Sequence, residues 1–191
     1  MPRQRITKEM VVEAAFSLAR EGGMEKVLVK NIAERIGCSV QPVYCYCRNM
    51  DGLRADVVEY TGKFIQEYVS ERIDSSCLFE SVGRAHALLA KEEPHLYRLY
   101  FLRKRKRAHS LEEIYQEETN PKVLEDITQK LGMEEDRAKR LHKHMVIYDI
   151  GLSFILACLG EETNTEEMKI MANEAYEAFQ AKFMEMEAAK R

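Results

Sequence analysis

Cysteine and histidine have the widest chemical range of any residues here, and their spacing argues against metal or redox work. Cys45 and Cys47 lie two positions apart. On a helix that spacing turns the two thiols about 200° apart, so they can share neither a metal nor a disulfide. His142 and His144 have the same fault, and Cys38, Cys77, Cys158, His86, His95 and His109 are scattered. A zinc site needs three or four donors converging on one point. No nucleophile motif, phosphate-cradling glycine loop or catalytic carboxylate pair is visible. No catalytic residue, metal or cofactor is therefore expected, and an enzyme is disfavoured. Recognition chemistry remains. Ser39 can open a short helix whose first turn holds Val40, Gln41 and Pro42. Free N–H groups at such a helix start favour phosphate. The Gln41 amide pairs a donor with an acceptor, as the edge of adenine does. Val40 and Pro42 offer only apolar contact, of the kind a thymine methyl accepts.

The elements that must position these residues read as helices throughout. Thr7 can cap a helix ending near residue 20 or 21, with Gly22 and Gly23 as the stop. Its apolar face is Met10, Val11, Ala14, Ala15 and Leu18, at the spacing of a core-facing helix. A short helix over residues 30–36 ends at Gly37, and a second runs over 40–46 with Pro42 in its first turn. Two short helices joined by a tight Gly-Cys-Ser turn have the geometry of a helix-turn-helix. An ordinary helical hairpin is the plainer reading of the same residues. A longer helix over 50–70, capped by Asn49 or Asp51, follows with Leu53, Val57, Tyr60, Phe64 and Tyr68 along one stripe. Further helices are expected over 76–91, 94–107, 110–116, 121–131, 134–159 and 165–188. No strand alternation and no internal repeat are visible.

Residues 29–53, VKNIAERIGCSVQPVYCYCRNMDGL, resemble the DNA-binding signature of the TetR family of repressors. Ile32-Ala33, Gly37, Ser39, Val43-Tyr44, Tyr46, Asp51 and Leu53 fall in register with it. The resemblance is specific over about the first 55 residues and otherwise rests on length and helical habit. It implies an all-α chain of about nine helices, with a three-helix DNA-binding domain over residues 1–53. The helix over 50–70 would be the connector, and 54–191 a ligand-binding and dimerisation domain. It also implies that Lys30, Ser39, Val40, Gln41, Pro42, Tyr44, Tyr46 and Arg48 meet a double-stranded operator. Tyr44 would reach a phosphate through its hydroxyl, the alternative being a plain core aromatic. A small-molecule effector would release the DNA, or a protein partner would take that role. The ligand cavity would draw on Tyr60, Phe64, Tyr68, His86, Tyr97, Tyr100 and Phe101, several of which could equally be core. Three residues depart from the family pattern. Cys38 and Cys47 replace a usual Val and Phe, and Met50 stands where a phosphate-binding Lys is common.

Composition fits this reading. The 191 residues are 46% hydrophobic and 32% charged, with 4 Pro and no Trp, which suits long helices. The net charge of -3 divides into +2 over residues 1–53, with 8 Lys and Arg against 6 Asp and Glu, and -5 over the remainder. A basic head on an acidic body suits a protein that touches phosphate with one end. The odd cysteine count, the lack of an apolar leader and an apolar run around 145–159 broken by Asp149 predict a cytoplasmic chain that does not enter a membrane. The run RKRKR over 103–107 is either a solvated helix end or a second phosphate contact. Finally, Leu141, Met145, Tyr148, Leu152, Ile155 and Leu159 repeat at 4, 3, 4, 3, 4. Ile147, Ile150, Phe154 and Cys158 fill another face of that helix. A helix apolar on two faces is buried on both, one of them against a second copy. Met168, Met171, Ala175, Phe179, Phe183 and Met186 extend the theme, so a homodimer seam is expected over the last two helices.

Overall fold

The computed structural model describes residues 6–46, 49–105, 110–159 and 164–188, with side chains to 185. All regular structure among them is helical, so the fold is all-α. Ten helices run in order: α1 (Lys8–Gly22), α2 (Val29–Ile36), α3 (Val40–Tyr46), α4 (Met50–Ser70), α5 (Leu78–Glu92), α6 (Pro94–Phe101), α7 (Leu111–Glu118), α8 (Pro121–Leu131), α9 (Glu135–Cys158) and α10 (Thr165–Ala188). These are the ten that the sequence pattern predicts, against the about nine that the family resemblance implies. Single 3-10 turns at Met24–Lys26 and Ser75–Cys77 complete the set.

The chain packs as two compact units. The first joins Met1–Tyr68 with Glu93–Arg103, so it holds α1 to α3, most of α4, and α6. It therefore reaches well beyond residues 1–53 and takes in a helix that lies 40 residues further on. Its core gathers Val11, Ala15, Val27, Ile32, Val43, Leu53, Val57 and Leu96. Thr7 caps α1, its hydroxyl accepting from the Met10 N–H at 3.3 Å. Asn49 rather than Asp51 caps α4, its side-chain oxygen accepting from the Gly52 N–H at 2.6 Å. The buried line on α4 is Leu53, Val57, Thr61, Ile65 and Tyr68. Tyr60 and Phe64, expected on that line, lie beside it and pack their rings on Phe16 of α1, with centroids 4.7 and 5.5 Å apart.

The second unit, Val69–Glu92 with Lys104–Arg191, is built around α9, against which α5, α8 and α10 pack. Val123, Ile127, Met133, Ala138, Leu141, Met145 and Phe183 form its core. At 24 residues α9 is the one described helix long and apolar enough to cross a membrane, yet a third of that window is buried within the unit. A central helix of a helical bundle meets the same test. The expected helix over 94–107 stops at Phe101. Arg103 donates back to the Tyr100 carbonyl, which a further turn would have used, and lays its guanidinium 3.8 Å from the Tyr100 ring. Arg105 turns instead to Glu118, with Nη2 2.7 Å from the carboxylate. Of the basic run, 106 and 107 lie outside the described residues.

Candidate nucleic-acid interface

The helix-turn-helix is built around Gly37, at φ 77° and ψ 35°. That left-handed backbone strains any residue with a Cβ. The Gly37 N–H donates to the Glu34 carbonyl at 3.1 Å and the Cys38 N–H to the Ala33 carbonyl at 2.9 Å. This pair of bonds closes α2 and reverses the chain within two residues. Ser39 precedes α3, and Val43 alone on α3 is fully buried, pinned in the core of the first unit.

Fixing Val43 inward turns the opposite face of α3 to solvent. Val40 and Tyr44 are 44% and 61% exposed, one turn apart, with Gln41 and Cys45 beside them. Of the expected contact residues, Lys30, Ser39, Val40, Gln41 and Tyr44 are all exposed. Pro42 is half-buried, and Tyr46, 38% exposed, sits off this face at the helix end. Arg48 and Cys47 lie outside the described residues. Tyr44 is no core aromatic. Val40 and Tyr44 thus stand as an exposed pair of large side chains on one short helix. Cys45 shares that face and was not among the expected contacts, because a cysteine gives no recognition signal in sequence. Met50, where the family pattern has a cation, is half-buried and packs against the core of the unit. The cation Arg35, by contrast, is held by Glu21 in a fork, both bonds at 2.6 Å.

The expected cavity residues divide between the units. Tyr97, in the first, is 1% exposed and so touches no cavity that water could enter. Tyr68 is also buried, Tyr60 is exposed, and Phe64, Tyr100 and Phe101 are half-buried among their neighbours. Tyr97 is a correction: its ring lies 4.5 Å from that of Phe101 and fills the core. His86, in the second unit, is half-buried, and its burial lowers its pKa to about 4. An open groove of about 90 Å³ in the second unit is lined by Cys77, Phe79, Asp126, Lys130 and Tyr176. None of the expected cavity residues lines it, and it holds only a few water volumes.

His142 is a buried core histidine rather than a ligand. Its Nδ1 lies 2.7 Å from the Tyr115 hydroxyl, burial lowers its pKa to about 4, and burial raises that of Tyr115 to about 12. No cluster of three metal-ligating side chains forms among the described residues.

On the expected dimer seam, Leu141 and Met145 require correction: they are 0% and 4% exposed, enclosed by the core of their own unit. Tyr148, Leu152, Ala175 and Phe179 are half-buried, Phe179 stacking on His144 at 4.9 Å. Ile155, Leu159 and Met171 are exposed. The bare line of α9 is Ile147, Gly151, Phe154 and Cys158, largely the second apolar face of the helix rather than the stripe expected to form the seam. Met186 lies outside the residues whose side chains are described.

No protein-family model matches the chain, and no curated protein does. Among solved structures it is similar to a transcriptional regulator from Rhodococcus sp. Rha1, at 18% identity over 94% of this chain and 97% of that one, with a TM-score of 0.46. A likeness this distant carries no statement about function.

Proposed function

We propose that this chain is a sequence-specific DNA-binding transcriptional regulator of the TetR type, a cytoplasmic homodimer that represses from a palindromic operator until a small-molecule effector releases it. The observation that carries the DNA reading is the bare face of α3, Val40, Gln41, Tyr44 and Cys45, held outward by Val43 and by the Gly37 turn. In this reading α3 lies in the major groove, Gln41 reads a base edge and Tyr44 reaches a phosphate. Lys30 adds charge to the backbone contact. The effector has to favour the DNA-free conformation by its differential affinity alone.

The test begins with selection of bound duplexes from a random pool by the full chain. Gln41→Ala should then weaken binding at a single base pair by about 1–3 kcal/mol, while Tyr44→Phe should weaken all sequences alike. Maleimide modification offers a second arm. It should abolish binding by a chain in which Cys38, Cys47, Cys77 and Cys158 are serine, and spare one in which Cys45 is serine as well. Binding that survives modification of Cys45, or a Gln41→Ala chain with an unaltered preference at every position, removes α3 from the groove.

A further inference from the structure

The first unit carries an ion pair that a three-helix DNA-binding head would not need. Arg20 stands in the last turn of α1, and Glu93 immediately precedes α6, 73 residues further on. The Arg20 Nε lies 2.9 and 2.8 Å from the two carboxylate oxygens of Glu93, and its Nη2 engages Oε1 as well. Glu93 is only 8% exposed. Although it sits at the start of a helix, its side chain caps nothing there, which leaves the carboxylate to Arg20. The same guanidinium lies 5.3 Å from the Phe64 ring of α4, which in turn packs on Phe16 of α1. One side chain therefore meets both α4 and the residue that opens α6. Beneath it, Leu96 of α6 is fully buried in one core with Val11, Ile32 and Val43, and Leu99 packs against that core. At Gly62 a Cβ would come within 2.9 Å of the Tyr100 ring, so α4 and α6 are closely engaged as well.

These contacts have a mechanical consequence. α2 and α3 rest on α1, and the far end of α1 is fastened to α6. The Glu93 carboxylate is buried while the Arg20 side chain is 49% exposed, so removing the arginine leaves a buried charge without its partner, at a cost that solvent on the arginine side reduces. An arginine fork also fixes orientation as well as distance. We propose that Arg20 and Glu93 are positioning residues for DNA binding: their clamp fastens α1 to α6 and thereby sets the seat from which α3 is presented. Neither touches DNA. The inference rests on the DNA-binding reading of α3 and adds that α6 is part of the DNA-binding head.

The clamp is tested in the full chain with Glu93→Gln, Arg20→Gln, the gentler Arg20→Lys, and the exchanged pair Arg20→Glu with Glu93→Arg. Two measurements are made on each. One is hydrogen exchange of the amides in α2 and α3, with those in α8 and α9 as an internal reference. The other is affinity for a duplex selected by the unaltered chain, over a range of salt. Each single neutral variant should weaken binding by about tenfold, the size of an ordinary coupling between two separate places in one protein. Arg20→Lys should weaken it less, and the exchanged pair should recover part of the loss. Exchange should rise in α2 and α3 and not in α8 and α9. The dependence of log K on log salt should keep its slope, because no phosphate contact is removed. A folded Glu93→Gln chain that binds within about twofold of the unaltered one, a difference well under 1 kcal/mol, overturns the proposal. So does unchanged exchange in α2 and α3, even where Glu93→Gln binds poorly. If the unaltered chain selects no duplex, the DNA reading itself falls, and the exchange arm shows separately whether the clamp orders the head.

Discussion

At the scale of single residues, the second unit holds an acid out of its ordinary state. Asp149 of α9 is half-buried against Gly83 of α5, where a Cβ would lie 3.1 Å from its Oδ2. No described cation pairs with it, and burial pushes its carboxyl up to about 6. The folded chain thus keeps this proton to higher pH than the unfolded chain does. Below the unfolded value near 4 the group has no effect on stability. The penalty grows as pH rises towards 6 and is complete above it. At about 1.4 kcal/mol per unit the full penalty approaches 3 kcal/mol, and partial exposure reduces it to about 1–2 kcal/mol. Asp149→Asn should therefore stabilise the chain at pH 8, and by roughly half as much at pH 5. Thermal melts at the two values check this, and an equal loss of stability at both would show that the carboxylate has a partner. His86 and His142 shift the opposite way: both are held near 4 by burial, so their contribution is present above about 6.5 and disappears on acidification. Sequence could place His142 in a core but could not show Asp149 buried, because burial of a polar residue depends on what packs against it from elsewhere.

At the scale of elements, the helices were legible in the sequence because their punctuation is local. Thr7, Gly37, Asn120 with Pro121 and Gly132 mark helix ends through backbone conformation or capping, and all four act where they stand. What lay beyond local reading was which side of α4 faces inward. Tyr60 and Phe64 look like core residues in sequence, yet Thr61 occupies the core line, its hydroxyl donating to the Val57 carbonyl at 2.8 Å. That bond removes the usual objection to burying a hydroxyl. The start of α4 is similar. Read as sequence, Met50 is a missing cation; in the structure it is also a packed side chain. Met50→Lys should therefore have two effects. A lysine can lay its stem along the apolar surface and send its charge to solvent, at some loss of packing. If this turn lies against the DNA backbone, the new charge should steepen the salt slope by about 0.9 per head, roughly 2 for a dimer. The melting temperature should fall slightly. Affinity should rise alike on selected and unselected duplexes, because a phosphate contact carries no base information. An unchanged slope would mean that the start of α4 stays clear of the DNA.

At the scale of the whole molecule, α9 presents more apolar surface than its own unit covers. The seven-residue repeat along this helix gives one apolar face, and Ile147, Ile150, Phe154 and Cys158 give a second. It does not say which one the chain covers for itself. α8 has 11 residues and α9 has 24, so at about 1.5 Å per residue α8 can shield less than half of the longer helix. Val123, Ile127 and Met133 accordingly enclose Leu141 and Met145, at the start of the stripe, and leave Ile155 and Leu159 bare at its end. The outward line is Ile147, Gly151, Phe154 and Cys158, with Ile147 51% and Phe154 40% exposed. On α10, Ile170 and Met171 are exposed as well. If a second copy covers this face, the two ends of the former stripe should respond differently to substitution. Leu141→Ala removes a filled volume from the unit's own core and should cost about 2–5 kcal/mol of stability whatever the oligomeric state. Phe154→Glu places a charge where the isolated chain already meets water. It should leave each chain folded while converting a dimer to monomers. Affinity for a palindromic duplex should fall steeply with it, since two half-sites are then no longer read together. Sedimentation, circular dichroism and DNA binding on the two variants separate these effects. A Phe154→Glu chain that stays dimeric moves the seam elsewhere. An unaltered chain that is monomeric at micromolar concentration removes the seam, and palindromic recognition with it.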